Sequence, residues 1–242
     1  YQNKTVQENM LAWMRADLAR ANENRDQVPW IVMHYHRPAY SENYAGIHGD
    51  EYARSVLEPL TFEFGVDVVF SGHVHNQERT FPVYNGSRVF GEEDDPYRNP
   101  KAPVYIVSGN PSNAESASIF EYPPQDWSAF RSYAFGYAHV DVVNRTALHI
   151  DIVSTQLGGA VMDEVWITKN VTCNFGSSCD VKGQELDFEG TFPRPASERV
   201  SEIWNRRNAV NVSASQTNVL TQMYVWCLRE NITYRRNSRF LL

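Results

Sequence analysis

The chain has 242 residues, a formal net charge of −7, 42% hydrophobic and 13% aromatic residues. That composition supplies a core for one large domain or two small ones and excludes a wholly disordered chain. The acidic balance argues against general nucleic-acid or anionic-membrane binding, and no apolar run approaches the ~20 residues of a membrane span.

From Val6 to about Arg25, Met10, Leu11, Met14 and Leu18 recur at helical spacing, which predicts an amphipathic helix. Pro29 follows its end, and the β-rich run Trp30 to His36 reads as a short strand stopped by Arg37-Pro38. Residues 50–64 predict a second helix despite Pro59, and "VDVVF" at 66–70 predicts the next strand. Strand, helix and nearly continuous apolar strand form a βαβ unit, hence parallel pairing in a buried sheet and an α/β fold. Residues 82–101, rich in Pro, Gly, Asn and acid, read as a solvated loop. "APVYIVSG" at 102–109 is a further strand ending on Gly. The alternation on both sides of Asn144-Arg145 predicts a hairpin, and "VMDEVWITK" adds one more strand. Beyond Val171 the pattern dissolves, and residues 194–242 carry eight Arg against three Glu. The expected division is a domain over 1–169 and an extension over 170–242.

Two features bear on compartment. Asn-x-Ser/Thr triplets stand at Asn3, Asn85, Asn144, Asn170, Asn211 and Asn231, more than the roughly two or three expected by chance, which favours a secreted or vesicle-lumen glycoprotein. Cys173 and Cys179 can close a short loop, leaving Cys227 either to pair elsewhere or to stay a buried thiol.

The chemistry centres on histidines at strand ends, where functional groups of open α/β sheets gather. His36 ends the first strand; His73 and His75 follow the second, after Ser71-Gly72. A His-x-His pair on a straight strand would face opposite ways, but a bend at Gly72 lets both rings converge on a metal ion. His34, His139 and His149 read instead as surface or satisfied core residues.

Four blocks, "PWIVMHYHRPAYS" at 29–41, "VDVVFSGHVHNQER" at 66–79, "APVYIVSG" at 102–109 and "SAFRSYAFGYAHVDVVNRTALHI" at 128–150, resemble consecutive blocks of the purple acid phosphatases. The resemblance covers roughly residues 1–169. It implies a calcineurin-like metallophosphoesterase sandwich, two β-sheets flanked by helices, and hydrolysis of phosphate monoesters at Fe(III) paired with divalent Fe, Zn or Mn. By motif, His36 and His73 would bind the divalent ion and His75 the ferric ion, while His48 would bind phosphate or protonate the leaving group. The family's remaining ligands, two Asp, a Tyr and an Asn, belong to motifs expected N-terminal to Tyr1. The resemblance thus implies the C-terminal part of a longer protein, completed by an N-terminal half or a partner chain. "SGNPSN" at 108–113 departs from the family's Gly-Asp-Gly-Gly-like turn. Two other readings stay open. One is a single zinc held by His36, His73 and His75 with an open fourth position; the other is a phosphatase-like glycoprotein subunit with a structural or interaction role.

Overall fold

The computed structural model describes residues 4–42, 49–92, 94–110 and 117–178, and the backbone of 239–241. His48, Cys179, Cys227, Asn3, Asn211, Asn231 and the second half of the 108–113 turn lie outside the described residues.

Helix α1 spans Lys4–Glu23, two residues ahead of its predicted place at both ends, and buries Met14 and Leu18. Strand β1 (Val32–Tyr35) follows. The predicted second helix is split: a π-helical turn, Ala53–Leu57, runs into the short helix α2, Glu58–Glu63. Pro59 sits at the first turn of α2, where its missing N–H leaves no gap in the hydrogen-bond ladder. The strands that follow are β2 (Val68–Ser71), β3 (Gln77–Thr80), β4 (Val83–Tyr84), β5 (Ser87–Arg88), β6 (Val104–Ser108), β7 (Ser128–Ser132), β8 (Gly136–Val142), β9 (Ala147–Ser154), β10 (Ala160–Thr168) and β11 (Arg239–Leu241). The stretch expected as a plain loop at 82–101 therefore contains the β4–β5 hairpin.

One sheet has the order β1-β2-β6-β3-β7, the other β10-β9-β8-β11. Within the first, β1, β2 and β6 are parallel, as the βαβ reading requires, with Val32, Val68 and Val104 in register and Tyr35, Ser71 and Val107 in register. Strand β3 runs antiparallel to β6 and β7. The second sheet is antiparallel throughout, and its β8–β9 hairpin closes where Asn144 was expected to turn. There the Asn144 side-chain oxygen accepts from the backbone N–H groups of Thr146 and Ala147, each at 2.8 Å.

Apolar alternation decides the layers. Val68, Phe70, Val104 and Ile106 of the first sheet meet Val140, Leu148, Ile150, Val165 and Ile167 of the second. The other face of the first sheet, with Met33, Tyr35, Val69 and Tyr105, packs against Met14 and Leu18 of α1 and Leu60 of α2. Helices, mixed sheet and antiparallel sheet are thus stacked in three layers. A buried ion pair crosses the sandwich: Arg79 of β3 grips both carboxylate oxygens of Asp163 of β10, at 2.5 and 2.8 Å.

At the amino ends of the parallel strands, Asp67 is 2% exposed and fully engaged. Its carboxylate accepts from Ile31 N at 2.8 Å, Lys169 Nζ at 2.7 Å and Arg25 Nη1 at 3.3 Å. Burial pushes the Lys169 ammonium down to about 8, with the Asp67 charge opposing that fall. Asp67→Ala leaves two buried cations without their anion and is expected to cost about 3–5 kcal/mol, read as a shift in the urea unfolding midpoint.

Glu78 of β3 is 1% exposed, accepting from Glu42 N at 2.9 Å and Ser128 Oγ at 2.8 Å. Burial raises its carboxyl to about 7, above the ordinary 4.5. Because the folded value is the higher one, Glu78 favours the fold fully below pH 4.5, and that contribution is lost as pH climbs to 7. The linked loss is about 3 kcal/mol. Urea titrations at pH 4.5, 5.5 and 7 should show this fall in the wild type and its absence in Glu78→Gln.

Candidate metal centre

Because β1, β2 and β6 are parallel and in register, their carboxyl ends form one edge, and the chemistry-bearing residues sit there. His36 directly follows β1, Gly72 and His73 follow β2, and Gly109 follows β6. Gly72 N donates to His36 O at 3.0 Å, which ties the first two loops together. The His36 and His73 rings lie with centroids 5.0 Å apart and planes at 67°, and both residues are exposed. His75 is half-buried; its N–H donates to Ser118 Oγ at 3.1 Å, and its carbonyl accepts from Ser118 N at 3.0 Å.

The expected bend is present but one residue late. His73 itself has φ of +63°, whereas Gly72 is not among the residues with positive φ. A left-handed non-glycine residue costs on the order of 1 kcal/mol or more and recurs at ligand-holding sites. Here it turns the ring of His73 toward His36. A Cβ on Gly72 would approach His36 Nδ1 at 4.0 Å, so the absent side chain keeps that flank of the ring open.

Partial desolvation lowers the pKa of His73 although the residue stays largely exposed, and the charges of Arg37, His36 and His75 lower it further, against an opposing pull from Asp50. Neutral imidazole is the form that ligates, so the shift favours the ligating form of His73. The structure brings His36 and His73 together, with His75 two residues on, but does not gather one donor atom from each of the three within 4.8 Å of one another. Paired imidazoles suit zinc, iron or manganese-class ions better than magnesium or calcium, so the residues present fit a transition-metal site.

Asp50 was not singled out from sequence. It pairs with Arg37 Nη1 at 3.4 Å and accepts from Ala53 N at 3.0 Å, fixing the start of the π-helical turn. The signal available was an Asp immediately before a helical pattern. His34, on β1, is exposed and lies in register with Phe70.

The loop carrying the two histidines leans on Gly109. Gly109 N donates to Asn76 O at 3.1 Å, and a Cβ there would stand 2.0 Å from Val74 O. Gly109→Ala must push residues 72–76 outward. We expect a loss of about 1–3 kcal/mol in urea unfolding together with a displaced His73 ring resonance in NMR spectra.

The comparisons with known proteins agree with this arrangement. A family model described as "Calcineurin-like phosphoesterase" matches residues 2–77, and one described as "Iron/zinc purple acid phosphatase-like protein C" matches residues 102–164. The chain is 35% identical over 175 residues to acid phosphatase type 7 of Mus musculus, covering 67% of this chain and 39% of the relative. It is 38% identical over 172 residues to acid phosphatase type 7 of Danio rerio, covering 65% and 39%. The chain therefore spans about two fifths of the length of these relatives. A solved purple acid phosphatase from yellow lupin (Lupinus luteus) seeds shares the fold, with a TM-score of 0.53 and 23% identity over 69% of this chain and 29% of that one. Parallel strands that end on paired imidazoles, the two family models and the named relatives lead to one assignment: the chain belongs to the purple acid phosphatase family of calcineurin-like phosphoesterases.

Proposed function

We propose that this chain is the C-terminal part of an acid phosphatase that hydrolyses phosphate monoesters at a binuclear metal centre. The observation that carries the reading is the His36–His73 ring pair at the carboxyl ends of parallel strands, with His75 two residues on. His36 and His73 would hold a divalent Fe, Zn or Mn ion and His75 an Fe(III) ion. The remaining ligands, two Asp, a Tyr and an Asn, would come from an N-terminal segment of the same precursor or from a partner chain. Such a metal pair supplies a bound hydroxide at acid pH and charge neutralisation for the phosphoryl group. The chain's own contribution is to aim the His73 ring through its left-handed backbone and to favour its neutral form through desolvation and the charges around it. His48 would hold the proton destined for the leaving oxygen.

A secreted or vesicle-lumen glycoprotein is the accompanying proposal. Of the described sequons, Asn85 and Asn170 are exposed and Asn144 is half-buried, so none is sealed in the core. Among the described residues, no helix is long and apolar enough to cross a membrane. A disulfide between Cys173 and Cys179 would fit the same oxidising compartment.

The test is metal analysis of the full-length protein beside its phosphomonoesterase activity. His73→Ala should lose one of the two ions of the pair and lower kcat at least ~100-fold. Unchanged activity in a folded His73→Ala protein would sink the reading.

A further inference from the structure

The second sheet carries a cluster that the phosphatase reading does not use. Inward, its side chains are mainly apolar, with Asp163 reaching Arg79 across the sandwich; outward, three neighbouring strands present His139 and Asp141 of β8, His149 and Asp151 of β9, and Glu164 and Trp166 of β10. The register places them side by side, with His139 opposite Asp151, Asp141 opposite His149, Asp151 opposite Glu164 and His149 opposite Trp166. Such a face should be wetted, yet His139, His149 and Asp151 are 5%, 3% and 4% exposed.

At the centre, His149 Nε2 lies 2.9 Å from Glu164 Oε1 and 3.2 Å from Asp151 Oδ1, and one donor atom from each residue lies within 4.8 Å of the others. A tetrahedral zinc ion with bonds of about 2.1 Å separates its ligands by about 3.4 Å, so a few tenths of an ångström would open this triangle around an ion. The imidazole is held by more than the carboxylates, and Trp166 Nε1 donates to the same Glu164 Oε1 at 3.1 Å. The His149 ring stacks on Trp166 at 4.1 Å between centroids and 25° between planes, and its buried Nδ1 has no hydrogen-bond partner.

Charge points the same way. Among the described residues, the ion-pair partners of Asp151 and Glu164 are histidines alone, with no Lys or Arg. Three carboxylates, Asp141, Asp151 and Glu164, face two imidazoles, so acidic groups outnumber the rings. Behind the triangle, His139 Nδ1 approaches the second oxygen of Asp151 at 3.7 Å, the outer-shell relation that orients ligating groups. Glu164 is the half-open member, its side chain 24% exposed, which gives an ion a way in.

We infer that His149, Asp151 and Glu164 form a second metal site, for one zinc-class divalent cation, on the outer face of the antiparallel sheet and separate from the histidine loops at the strand ends. An imidazole with two carboxylates favours zinc over magnesium or calcium. Three protein donors leave a fourth position for water, and the ion would join β9 to β10.

The test uses the full-length protein carrying His36→Ala, His73→Ala and His75→Ala, stripped with chelator and dialysed against zinc, with metal counted per chain. One zinc should remain bound. Adding Glu164→Gln or His149→Gln should remove it, and His139→Gln should weaken it about 10-fold. Cobalt in place of zinc should give a visible tetrahedral d–d spectrum that Glu164→Gln abolishes. Equal zinc content with and without Glu164→Gln, in proteins of matching circular dichroism, would overturn the proposal. Loss of the histidine-loop centre leaves this result unchanged, so the two readings fail separately.

Discussion

Everything at the active edge depends on Asp67, at the far edge. Its carboxylate reaches the start of β1 through Ile31 N, the segment after α1 through Arg25, and the end of β10 through Lys169. Its own N–H donates to Ile31 O at 2.9 Å and its carbonyl accepts from Val104 N at 3.1 Å. Arg25 spends its other donors on the carbonyls of Pro29, Phe64, Gly65 and Thr172. One buried anion thus fixes where three parallel strands begin, and strands of four, four and five residues in fixed register end at one edge. His36, His73 and Gly109 meet because of what is settled some four residues earlier. A buried pair is a costly way to gain stability, and its use here is positional.

The loops at those ends are then shaped by space rather than by attraction. Gly109 lets the Val74 carbonyl lie where a side chain would be, while His73 takes the left-handed turn itself. Desolvation first, and then the charge of Arg37 and the neighbouring imidazoles, disfavour a proton on His73. Fold and electrostatics therefore arrive at the same end, the His73 ring held close to His36 and favoured in its neutral form, which is the condition for ligation.

The βαβ core was legible because its signal is apolar and continuous: "VDVVF" and "VYIVS" could only be inner strands. The β8–β9 hairpin was equally plain from alternation about Asn144. Strand β3 escaped because Gln77, Glu78, Arg79 and Thr80 are all polar and all buried, a pattern that hydrophobic periodicity reads as loop. The pairing of His36 with the His73 loop was foreseen; the residue that bends was not, since a left-handed histidine leaves no mark in composition. His139 and His149 passed as ordinary core residues. Their grouping with Asp151 and Glu164 exists only across three strands in register, and no spacing along one strand reveals it.

The posture of His73 has a further meaning. Asparagine or glycine would occupy that backbone position with less strain, yet neither brings an imidazole. A more contented backbone at this point would come with an empty hand. In this loop, ease of folding and usefulness pull in opposite directions, and the sequence has settled for usefulness.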